Sequence, residues 1–196
     1  MYADTEVELH HRPTLMRNLF DDKRLQRWCD SFGADTFVMT GKGFAVPSLN
    51  FNRIFILTHI YRHFLFEGIG LRQLMDYYFV LKASHRSSSE REEEITLINR
   101  IGMKKFAEAV MWVLGHVFGL EREYMLCEPD EKEGRFILDE IMLTGNFGHG
   151  DSRYIGHSKV KRMTKHGLHL LMRYPSEVIW TPIWLVYHMV WKYRKR

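Results

Sequence analysis

A chain of 196 residues with 45% hydrophobic content carries enough apolar mass for one well-cored domain, which excludes an intrinsically disordered segment. The formal charge of +4 is modest and its excess sits late, in Lys159–Lys165 and Lys192–Arg196, so no nucleic-acid partner is expected. Two cysteines, Cys29 and Cys127, stand far apart without metal-ligand spacing, which argues against a disulfide framework or a zinc ribbon and for a reduced, cytoplasmic location.

Thr5–His11, TEVELHH, alternates Glu6, Glu8 and His10 with Val7, Leu9 and His11, the period of a strand. A strand needs a partner, so a later segment or a protein partner must pair with it. No apolar h-region marks this N-terminus as a signal peptide. Pro13 stops the strand, and Leu15–Phe32 reads as a helix with Leu19, Leu25, Trp28 and Cys29 inward. Phe37–Pro47 is turn-rich, with a short hairpin about Gly41 and Gly43.

Asn50–Lys82 dominates the pattern. Apolar residues recur at Ile54, Leu57, Ile60, Tyr61, Phe64 and Leu65, then at Leu71, Leu74, Met75, Tyr78, Phe79 and Leu81, the rhythm of two helices each buried along one face. Gly68 and Gly70 mark the break between them. A polar linker follows, and Ser89 with Glu92 has capping-box spacing for a helix continued by Ile95, Ile98, Ile101 and Met103. Phe106–Phe118 is a strongly apolar helix ended by Gly119, and an acidic loop at 128–134 leads to a helix over Gly134–Leu143. Gly145–His157, with Asn146, His149, Asp151 and Arg153, reads as loop. Two helices then separate at Tyr174-Pro175, with Ser176 as the second N-cap. The longest apolar run, Val178–Trp191, is shorter than the roughly 20 residues a membrane span needs.

The expected fold is mainly α: a bundle of about eight helices with one short N-terminal strand and a short hairpin. The expected units are residues 1–13 as the strand, 14–157 as the helical domain, and 158–196 as a basic, Trp-rich helical pair.

Three groups of residues can carry chemistry. Glu6 and Glu8 share one strand face, where carboxylates can hold Mg²⁺ or simply meet solvent. His59 and His63, four apart on one helix face, together with Asp76 on the next helix, offer either a metal site or a hydrogen-bonded cleft wall. HIYRH lacks the glutamate of the helical zinc-protease motif. The C-terminal helix, with Trp180, Trp184, Trp191 and a basic end, suits core packing, with a membrane surface as the less favoured reading.

The runs VELHHRP, LTHIYRHFLFEGIGLRQLMDYYFVL, GMKKFAEAVMWVLGHVFGL and EIMLTGNFG, in that order, resemble the later portion of the uncharacterised bacterial nucleotidyltransferase family, of the polymerase-beta-like superfamily. The resemblance implies a catalytic sheet with a Gly-Ser motif and paired acids upstream of VELH, Mg²⁺ as cofactor, and a nucleoside triphosphate transferred to an unknown acceptor. It implies that Glu8 holds the place of the third acid, that His10 lies beside it, and that the strand is a remnant of the catalytic sheet. Only seven residues precede Glu8, so the expectation is a family member truncated ahead of its catalytic motifs and inactive as this isolated chain.

The reading is therefore the helical, substrate-side part of a nucleotidyltransferase-like protein. Glu8 and Glu6 would serve as metal acids, Glu8 and His10 as catalytic groups, and His59, His63 and Asp76 as cleft residues. The alternatives are a non-catalytic helical interaction module, with a membrane surface as one of its resting places, and a helical metal-dependent phosphohydrolase built on the histidines and Asp76.

Overall fold

The computed structural model describes residues 12–83, 86–145, 156 and 158–194. The expected strand at Thr5–His11, with Glu6, Glu8 and His10, lies outside them, as does most of the Gly145–His157 loop. Among the described residues the chain is mainly helical, as expected, with eight α-helices and one two-stranded sheet. In order these are α1 (Leu19–Phe32), β1 (Phe37–Met39), β2 (Ala45–Pro47), α2 (Leu49–Phe66), α3 (Leu71–Ala83), α4 (Ser88–Arg100), α5 (Lys104–Phe118), α6 (Glu131–Thr144), α7 (Lys159–Leu170) and α8 (Pro175–Arg194). The strands pair antiparallel with Val38 opposite Val46, the hairpin the glycines at 41 and 43 announce.

α2 is the central element. Ser48 caps it by accepting the Phe51 N–H, and Ile54, Leu57, Ile60, Tyr61, Phe64 and Leu65 are all buried as their spacing requires. The chain leaves α2 through Gly68, whose φ of 87° falls in the left-handed region where a side chain would be strained. α3 returns against α2, α5 packs on α3 and α4, α6 lies along α5, and α7 covers the other side of α2. Gly134 permits the close α5–α6 approach: a Cβ there would come within 2.7 Å of the Trp112 Cβ. Phe106, Val110, Val113 and Leu114 of α5 meet Ile137 and Ile141 of α6 in the same continuous core.

Five local expectations need correction. On α3 the inward line is Leu74, Tyr77 and Leu81, whereas Met75 and Phe79 are exposed, so the apolar pattern there is wider than the face the bundle covers. The capping box of α4 is Ser87 with Glu90, because Ser87 is the residue whose backbone turns extended just before the helix. That helix stops at Arg100, and Ile101 and Met103 are buried in the turn beyond it. The acidic stretch before Gly134 is the first turn of α6: Asp130 caps it, and Glu131 and Glu133 lie where the helix dipole favours negative charge. At α8 the helix begins with Pro175, whose fixed φ suits a first turn and whose missing N–H costs nothing there. Ser176 accordingly lies inside the helix and accepts from the Asn18 side chain.

Candidate functional site

The segment that leads into α1 is held on both sides. Arg12 donates to Asp22 at 3.0 Å, Asp22 accepts the Met16 N–H at 3.0 Å, and Gln26 donates to the Thr14 carbonyl at 2.9 Å. From across the molecule Glu177 of α8 accepts the backbone N–H groups of Arg17 at 2.7 Å and Asn18 at 3.1 Å. Glu177 is buried, and desolvation raises its pKa against the opposing pull of those two N–H groups. Arg17 lies 3.3 Å over the Phe66 ring and donates to Thr181 at 2.8 Å; burial lowers its pKa to about 10 while Glu177 opposes the shift. Residues 159 positions apart thus fix where the chain enters the bundle, and no local pattern announces such a pair.

Beside this segment a ladder of rings climbs α2 at every fourth residue. Trp28 stacks on Phe51 at 5.4 Å, Phe51 on Phe55 at 5.7 Å, Phe55 meets His59 at 5.9 Å, and His59 meets His63 at 4.4 Å. The top rung is a charge: His63 Nδ1 lies 2.7 Å from a Glu67 carboxylate oxygen. Arg12 and Pro13 share a shallow groove with Phe37 and Phe51 at the foot of the ladder, and Glu67 is near enough to act on Arg17 at its head. The side chains of the ladder from Phe55 upward are half-buried, open enough to touch a ligand and fixed enough to orient one. A histidine bonded to a carboxylate can hold or accept a proton, and stacked rings can take a planar base.

The structure therefore brings His59 and His63 together on one face. It gives His63 a carboxylate from its own helix, Glu67, and leaves Asp76 exposed on α3. Among the described residues no three His, Cys, Asp or Glu side chains group as a metal site, so His59, His63 and Asp76 are not a three-ligand set. Burial pushes the thiols of Cys29 and Cys127 up to about 11 and about 12, so neither is a thiolate nucleophile at neutral pH.

Sequence reasoning missed two buried charge centres. Arg53, fully buried on α2, donates to Glu94 of α4 at 2.6 Å and to Asn50 at 2.8 Å, with Arg86 at 3.6 Å from the second Glu94 oxygen. Its signal was present: Arg53 falls on the same face as Leu57, Ile60 and Phe64, and an arginine on an apolar face calls for a buried acid. Glu133 of α6 accepts from Tyr174 at 2.8 Å, from Lys105 at 3.2 Å and from Arg173, tying α5 and α6 to the turn before α8. Both centres are enclosed by the bundle and act as its polar joints.

A family model described as an uncharacterised nucleotidyltransferase matches residues 2–119, ending at the glycine that closes α5. No curated protein and no solved structure matches the chain.

Proposed function

The chain belongs to the uncharacterised nucleotidyltransferase family, and from that premise we propose that it forms the helical, substrate-side part of a protein that transfers a nucleotidyl group from a Mg-NTP to an acceptor. The observation that carries this reading is the match across residues 2–119, which runs from the VELH segment through the whole α2 ladder to the end of α5. On this reading Glu8, with Glu6, would supply carboxylates to Mg²⁺, and His10 would act beside Glu8. Oxygen donors of that kind suit a hard cation. When bound, Mg²⁺ would neutralise the charge of the triphosphate.

The chain's own helices then orient the substrates. The half-buried rings of Phe55 and His59 take the planar face of a base or an apolar part of the acceptor, and the His63–Glu67 couple handles the proton of an acceptor hydroxyl. Asp76 is exposed on α3 and is not drawn into this role. The clasp of Glu177 on Arg17 and Asn18 fixes the described segment that leads into α1.

The sequence holds no Gly-Ser pair, and these 196 residues by themselves are proposed to be inactive. The test is nucleotidyl transfer. Incubated with Mg²⁺ and each labelled NTP, the 196-residue chain releases no pyrophosphate. Extended at its N-terminus by a family segment carrying Gly-Ser and paired acids it does, and Glu8→Gln lowers that rate by on the order of a hundredfold or more. Transfer by the short chain alone, or an extended chain indifferent to Glu8→Gln, overturns the reading.

One observation favours a second reading, a non-catalytic helical interaction module. The hairpin exposes Phe37, Val38, Met39, Phe44 and Val46 together, and among the described residues its sheet has two strands, each with an edge that invites a further strand. Val38 and Val46 face each other as a hydrogen-bonded pair, so this reading expects a partner to protect the outward-pointing Phe37, Met39 or Ala45 amides from hydrogen exchange, with no nucleotide required.

A further inference from the structure

α8 gathers its polar and aromatic residues on one side. Glu177, Thr181, Trp184, His188 and Trp191 recur at every third or fourth position; Glu177 is buried, Thr181 and Trp184 are half-buried, and His188 and Trp191 are exposed. Glu177 holds the Arg17 and Asn18 N–H groups, and Thr181 accepts from Arg17. Trp184, His188 and Trp191 line a groove with Leu15, Leu19 and Lys23. Their rings form one stack, 4.9 Å from Trp184 to His188 and 5.8 Å from His188 to Trp191.

The opposite side is aliphatic. Ile179, Ile183, Val186 and Val190 follow i, i+4, i+7, i+11 and make one stripe, each 48–56% exposed. A lone surface leucine means little, but a contiguous stripe of this length calls for cover. From Val178 to Arg196 the sequence contains no acid, and it ends in four cations: Lys192, Arg194, Lys195 and Arg196. Residues 175–194 also lie outside the matched span 2–119, so the stripe is not part of what the family match accounts for.

Charge decides what covers it. A second α8 laid antiparallel would offer those cations only Glu177, which is buried and already bonded. An anionic lipid surface offers both partners at once: the acyl boundary takes the aliphatic stripe and the headgroups take the cations. Among the described residues no helix is long and apolar enough to cross a membrane, so the helix lies in the surface.

We propose that α8 seats this protein on the surface of anionic membranes, aliphatic stripe down. The full 196-residue chain is floated with vesicles of phosphatidylcholine alone and with vesicles containing about a third phosphatidylserine. The expected result is at least about tenfold greater recovery with the anionic vesicles and a loss of binding as salt shortens the screening length. The double variant Ile183→Asp/Val190→Asp abolishes flotation with its far-ultraviolet dichroism unchanged, since both side chains are exposed. Lys192→Glu/Arg194→Glu removes the preference for the anionic lipid. Equal recovery on both vesicles, no flotation at all, or a dimer in sedimentation that Ile183→Asp dissolves would overturn the proposal, the last assigning the stripe to a second copy.

Discussion

Arg53 and Glu94 put two full charges where the bundle is driest, and a pair of that kind stabilises only while both members are present. Glu94→Ala is expected to cost about 3–5 kcal/mol, because Arg53 keeps its charge without a counter-ion. Arg53→Met/Glu94→Leu should recover most of that loss, and urea midpoints of the three proteins check it. Glu177 makes a different prediction. Desolvation raises its folded pKa above the unfolded carboxylate value, so the folded state holds the proton more tightly. The resulting stabilisation is complete below the unfolded value and is lost as pH rises through the folded one. The stability of the wild type relative to Glu177→Gln should therefore fall across that window, as paired urea titrations at pH 4 and pH 7 would read it. At the site itself, Glu67→Gln leaves the ring ladder in place but removes the charge facing His63. In an N-terminally extended, active protein it should lower kcat, while Phe55→Leu raises KM for the nucleotide.

Among the elements, α5 and α6 are distinguished by a glycine that sits under a tryptophan. Gly134→Ala drives a methyl into the base of Trp112, and overpacking of about 1–3 kcal/mol should outweigh the gain in helix propensity. Gly167 in α7 is the control: its added Cβ would meet Val178 at 3.8 Å, an ordinary contact, so Gly167→Ala should stabilise by about 0.5–1 kcal/mol. Thermal midpoints of the two variants should move in opposite directions. These helices also mark where the sequence was legible. The buried face of α2 and its glycine break followed from periodicity because one helix face meets one core, and the hairpin followed from its glycines. α3 was harder because Met75 and Phe79 widen its apolar stripe beyond what α2 and α5 cover, and the start of α4 because three serines in a row compete for one cap. The joints at Glu133 and Glu177 were invisible, since each depends on partners 28 to 160 residues away that only the tertiary fold brings near.

At the scale of the whole molecule, the His59–His63 pair was legible from its spacing of four. The carboxylate it meets was not, because Glu67 lies one turn beyond and Asp76 only looked closer in function. The clasp between the segment before α1 and the helix at the other end also predicts how the fold loosens. Deleting α8 should speed hydrogen exchange at the Arg17 and Asn18 amides, which lose their only carboxylate, while the amides of Met111 and Val113 in α5 keep their protection. Uniform loss of protection across both sets would mean that α8 is needed for the bundle itself.

That clasp carries a mechanical consequence. Because Glu177 joins residues 17 and 18 to the last helix, the chain is closed on itself like a buckled strap. Tension applied between residue 12 and residue 194 reaches the buckle before it reaches any interior helix. Under an optical trap the first rupture should be a small, reversible step that frees the leading segment from α8. The larger unravelling of α2 to α6 should follow only at higher force.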